Sequence, residues 1–131
     1  MRLLLDTHIA LWAVADDARL SDRARVLIAD PDNQVSVSVA SLWEIAIQHS
    51  LARGGPNAMP VSAEQALRYF HAAGYALLDI APAHVVALEG LPRLHGDPFD
   101  QMLVAQALTT PLRLLTHDAQ VAQYSDTVIG V

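Results

Sequence analysis

The chain contains no cysteine. Disulfides, thiolate nucleophiles and cysteine-held zinc are therefore excluded, and any metal site must be built from oxygen or imidazole. Lysine is absent as well, all eight basic residues being arginine. That gap removes the P-loop lysine, Schiff-base chemistry, and the lysine that receiver domains and haloacid-dehalogenase-type phosphatases place beside a strand-end aspartate. No apolar run approaches the ~20 residues that cross a bilayer. The N-terminus, with Arg2 and then Asp6, is unlike a signal peptide, so the cytoplasm is the expected location. Repeats and linkers are also missing, so residues 1–131 read as a single domain.

What is present fits a compact globular protein: 53% hydrophobic and 17% charged residues argue against disorder. Fourteen acids against eight arginines leave a net charge of −6. Nucleic-acid binders are more often basic, so this balance counts against such a partner unless bound cations neutralise the site and the arginines are placed locally.

The apolar run Leu3, Leu4 and Leu5 stops at Asp6, and a helical pattern of Ile9, Ala10, Leu11 and Trp12 follows. Such a run predicts a buried strand of a parallel sheet, whose carboxyl end is where ligands gather. Further strands are expected at 34–39 (QVSVSV, valines on one face and serines on the other), 75–80, 112–115 and, as an edge, 127–131. Helices are expected at 7–14, 21–30, 40–50, 62–73, 84–89 and 98–109, with a short one after Asp118 and a loop from Leu51 to Pro60. Ser21 and Ser62 are the expected N-caps, and Gly74 a C-terminal stop. Strands alternating with helices give an α/β class, a three-layer α/β/α sandwich around a small, mostly parallel sheet.

Four acids stand where chemistry is expected. Asp6 and Asp118 each follow an apolar strand, within DTH at 6–8 and THD at 116–118. Capping alone explains either, although Thr7 could cap in place of Asp6. Glu44 recurs with Ser41 and Gln48 at helical spacing, which describes a solvated stripe or a cleft-facing one equally well. In HGDPFDQMLVAQAL, Asp97 suits the N-cap and Pro98 the first helical position, leaving Asp100 as the ligand and Asp97 as its support.

The blocks LLLDTHIALW, SLWEIAI, HGDPFDQMLVAQA and LLTHDAQV together resemble a PIN domain, and more narrowly the VapC-type toxin ribonucleases of bacterial toxin–antitoxin pairs, from Leu3 to Val121. The resemblance implies that Asp6, Glu44, Asp100 and Asp118 form an acidic quartet, catalytic and metal-holding, supported by Thr116. It also implies an α/β/α fold, a homodimer, Mg²⁺- or Mn²⁺-dependent endonucleolytic cleavage of RNA, and a cognate antitoxin that holds the protein inactive. Two positions depart from the pattern: Gln48 stands where relatives often carry lysine, and Gln101 where arginine is common. Both remove positive charge, which bears on RNA affinity or antitoxin contact.

Carboxylates suit the implied chemistry, because Mg²⁺ takes oxygen ligands and keeps waters that leave room for a phosphate. Crowded acids without a cation repel and raise at least one pKa. The reaction would be phosphodiester hydrolysis by a metal-activated water, with Asp6, Asp100 and Asp118 on the metal and Glu44 binding it or orienting the water. The six histidines lack zinc-type spacing, though His8 and His117 adjoin proposed ligands. Trp12 and Trp43 read as core or dimer contacts, and Arg53, Arg68 and Arg93 as RNA-phosphate contacts. Two rivals remain at this stage: a PIN-like protein-binding module acting through its antitoxin complex, and a metal-dependent phosphatase acting on small phosphate esters.

Overall fold

The computed structural model of the protein describes residues 1–51, 59–92 and 96–131. Leu3, Leu4 and Leu5 form strand β1 (Arg2–Leu5), and all three are fully buried. Successive strand side chains point to opposite faces, so an unbroken apolar run needs cover on both. The cover is there: Leu3 and Leu5 belong to one hydrophobic core, Leu4 to another.

β1 is the middle of five parallel strands. It pairs with β2 (Gln34–Ser38) on one side and β4 (Arg113–Thr116) on the other. β3 (Ala76–Leu78) and β5 (Val128–Gly130) close the edges, giving the order β3-β2-β1-β4-β5. The register sets Leu5 against both Val37 and Leu115. The next residue along each strand is then Asp6, Ser38 or Thr116, so these three meet at one sheet edge.

On one face, Leu3, Leu5, Val35, Val37, Leu115 and Ile129 pack under α1 (Thr7–Ala15), α2 (Asp22–Ala29), α3 (Val39–Leu51) and α4 (Ala63–Ala72), which contribute Ile9, Ala24, Ile45 and Phe70. On the other, Leu4, Leu114 and Val128 meet Leu103, Val104 and Ala107 of α6 (Pro98–Thr109) and Val121 of α7 (Ala119–Ala122). α5 (Pro82–Ala87) and the 3₁₀ turn Leu88–Gly90 that follows it pack on α6. The result is the α/β/α sandwich anticipated from the strand and helix pattern.

Local chemistry fixes the helix ends. Ser21 and Ser62 accept backbone N–H bonds as N-caps, and Gln65 completes a capping box with Ser62. Gly74 takes φ 80° just past α4, where its N–H bonds to the carbonyl of His71.

Several boundaries differ from expectation for identifiable reasons. Val39 already belongs to α3, because Ser38 Oγ accepts the Ala40 N–H at 3.0 Å and starts the helix with no intervening loop. Ser36 and Ser38 are buried like Val35 and Val37, with which they alternate, since the face they occupy is covered too. Leu51 ends α3 rather than opening the loop. Gly54, Gly55 and Pro56 lie outside the described residues.

Candidate active site

Asp6 terminates β1 and caps α1 at the same time. Its Oδ1 accepts the Ile9 N–H at 2.8 Å, and its Oδ2 accepts the Thr116 hydroxyl at 2.6 Å. Thr7 therefore does not take over the cap. Its hydroxyl turns to α3 instead, 2.6 Å from Glu44 Oε1 and 2.9 Å from Ser41 Oγ. Thr116 Oγ1 also accepts the Asp118 N–H at 3.0 Å, so one hydroxyl ties the two strand-end acids together. Asp118 in turn caps α7 through the Gln120 N–H at 2.8 Å.

Glu44 is not on a solvated stripe: only 5% of it is exposed. Besides Thr7, it accepts a bond from Gln48 Nε2 to Oε2 at 3.1 Å, so the amide at this position orients the glutamate. At α6, Asp97 accepts from the N–H groups of Phe99 and Asp100, at 2.9 and 3.2 Å, and sets Asp100 in the first turn. Gln101 follows in that same turn.

All four expected acids, with Asp97, line one cleft of roughly 620 Å³ at the carboxyl edge of the sheet. The remaining wall is His8, Trp12, Arg19 and His117. Burial pushes the Asp6 carboxyl above its ordinary range, against the opposing pull of the Thr116 and Ile9 hydrogen bonds. Glu44 is raised too, chiefly by burial; the Thr7 bond resists this, and the charges of Asp97 and Asp6 add to it. Neither acid has an ion-pair partner among the described residues. Nor do three acids or histidines among the described residues stand close enough together to hold a metal ion as they are.

The donor set nonetheless fits a hard divalent cation. It consists of carboxylate oxygens, two of them desolvated and held in fixed orientations, in a cleft whose walls carry five acids.

The structure sorts the remaining aromatic, histidine and arginine residues. Trp43 is 58% exposed and meets Phe99 edge-on at 5.1 Å, so it is no part of the core. Trp12 packs against the first core and also lines the cleft, with ring contacts to His8 at 5.9 Å and His117 at 5.2 Å. His84 is a buried packing residue whose Nδ1 accepts the Ala81 N–H at 2.9 Å. Arg68 lies on α4 and does not line the cleft, whereas Arg53, Arg93 and His95 lie outside the described residues. Arg19, which sequence reasoning passed over, is the one arginine among the cleft's described lining residues. Its only sequence signal is the run DDARL, indistinguishable from an ordinary surface ion pair.

Comparison with known proteins places this geometry. The chain matches the family model of the PIN domain over residues 3–126. No curated protein matches it significantly. Solved structures similar to it include VapBC2 from Rickettsia felis bound to a DNA fragment from their promoter, with TM-score 0.67, 15% identity and coverage of 100% of this chain and 98% of that one. A toxin–antitoxin complex from Klebsiella pneumoniae gives 0.64 and 16%, covering 97% and 95%. FitAcB from Neisseria gonorrhoeae gives 0.61 and 15%, covering 100% and 97%. At these identities the likeness to the solved structures is one of fold. A family model that spans nearly all of the sequence says more: this chain belongs to the PIN-domain family.

Proposed function

We propose that the protein is a divalent-metal-dependent endoribonuclease of the VapC type, the toxin of a toxin–antitoxin pair. The observation that carries this reading is the convergence of Asp6, Glu44, Asp97, Asp100 and Asp118 on one cleft, with Asp6 and Glu44 buried. Its fold neighbours, drawn from toxin–antitoxin complexes, support an antitoxin partner, and a homodimer is part of the same proposal.

In this reading Asp6, Glu44, Asp100 and Asp118 hold Mg²⁺ or Mn²⁺. Bound there, the ion supplies Lewis acidity, offsetting phosphate charge and acidifying water. The protein supplies orientation. Thr116 fixes Asp6 and, through the Asp118 N–H, the start of α7. Thr7 and Gln48 fix the two oxygens of Glu44, which would bind the ion or orient the attacking water. Asp97 holds the first turn of α6 and with it Asp100.

The test is incubation of antitoxin-free protein with a mixed, structured RNA pool in Mg²⁺ or Mn²⁺ against EDTA, beside Asp6→Asn and Asp100→Asn. Metal-dependent cleavage that both folded variants lose supports the reading. Hydrolysis of p-nitrophenyl phosphate with RNA left intact would move the site to the phosphatase class. Failure to bind a divalent ion or cut anything would leave a protein-binding module.

A further inference from the structure

An acidic cleft repels a polyanion, so an RNA that enters this one needs a local cation. We infer that Arg19, seated on the ring of Trp12, grips a backbone phosphate of single-stranded RNA at the mouth of the cleft, adjacent to the phosphate at the acids. This inference rests on the ribonuclease reading and adds to it the residue that holds the substrate.

The seat is built from both sides. α1 ends at Asp16 in the left-handed region, φ 50°, and the chain folds back so that the Asp17 N–H reaches the Trp12 carbonyl at 2.9 Å. Arg25 of α2 braces the turn: it pairs with Asp16, donates from Nη2 to the Asp17 carbonyl at 2.6 Å, and donates from Nε to the Leu20 carbonyl at 3.3 Å. On that brace the Asp17 carboxylate accepts the Arg19 N–H at 2.8 Å, its Nε at 3.1 Å and its Nη2 at 2.8 Å. The guanidinium carbon then lies 5.1 Å from the centroid of the Trp12 ring.

A guanidinium has five N–H donors, and Asp17 engages two, leaving three for an incoming anion. The side chain is 69% exposed, so those donors are open to solvent. Exposed ion pairs contribute little to stability, which gives no reason for so closely braced an arginine at a cleft wall. Arg19 also continues the His117–Trp12–His8 contacts, whose histidines adjoin Asp118 and Asp6, so a phosphate on Arg19 neighbours the acids.

The experiment measures binding of a fluorescein-labelled mixed single-stranded RNA by anisotropy in Mg²⁺ across a salt series, in an Asp100→Asn background that cannot cut it. Arg19→Ala should raise Kd about tenfold and reduce the slope of log Kd on log salt by about 0.7, the value for one phosphate contact on a single strand. Arg19→Lys should restore most of the slope, and Arg68→Ala should change neither quantity. With Asp100 restored, Arg19→Ala should raise KM more than it lowers kcat. If Arg19→Ala binds like its parent while RNA is still cleaved, the inference is overturned and the ribonuclease reading stands. If protein with Arg19 intact neither binds nor cleaves RNA, the ribonuclease reading has failed and this one falls with it.

Discussion

Glu44 and Asp6 sit buried in a cleft of their own charge, and the sign of their titration follows from that. Their folded pKa values lie above the unfolded ones, so the native state binds protons more tightly. Their contribution to the stability of the metal-free protein should therefore be full below the unfolded value and be lost as pH rises through the folded one. Glu44→Gln should flatten that slope and raise the melting temperature at neutral pH, read by thermal unfolding in EDTA. Thr116→Val should do the opposite. It leaves Asp6 Oδ2 and the Asp118 N–H without their shared partner, which should cost about 1–3 kcal/mol. The cleavage rate should fall by about a hundredfold as both acids lose their positions. At this scale the sequence was legible in part. The strand-end positions of Asp6 and Asp118 and the dipeptide start of α6 were visible as pattern. The burial of Glu44 was not, because a helical stripe has the same spacing whether it faces water or a cleft. Arg19 was invisible because its role depends on a tertiary brace from Arg25 and on the Trp12 ring.

Two helix caps make a matched pair. Asp97 caps α6 beside Asp100, and Ser62 caps α4, whose residues do not line the cleft. Removal of either side chain should cost about 1 kcal/mol of stability by denaturant melt. Asp97→Ala should also depress RNA cleavage, whereas Ser62→Ala should leave it unchanged. Equal losses of activity would show that α6 positions nothing in particular. The elements themselves were largely readable from sequence. β1 and β4 are short apolar runs that end in polar tripeptides, and serine, proline and glycine mark the helix ends. Boundaries were less readable where one element passes directly into another. Ser38 closes β2 and also bonds the N–H that opens α3, so no turn residue marks the junction.

For the molecule as a whole, a net charge of −6 and a cleft lined with acids mean that the proposed metal would be a structural as well as a chemical partner. An ion at a hundred times its Kd adds about 2.7 kcal/mol to the folded state, or roughly 10 °C in melting temperature for a domain of this size. Calorimetry with Mn²⁺ should show that shift in the wild type and lose most of it in Asp6→Asn. Among the described residues, no helix is long and apolar enough to cross a membrane. The sheet order has one more consequence, and it concerns time. β1 is made first but lies between β2 and β4, and the hydroxyl that locks Asp6 is 110 residues away along the chain. At ribosomal speeds of roughly 5–20 residues per second, a nascent chain waits on the order of 5–20 s between synthesis of its first cleft acid and arrival of the strand that completes the cleft. When that strand arrives, four of the five cleft acids already exist as sequence, and the cleft does not.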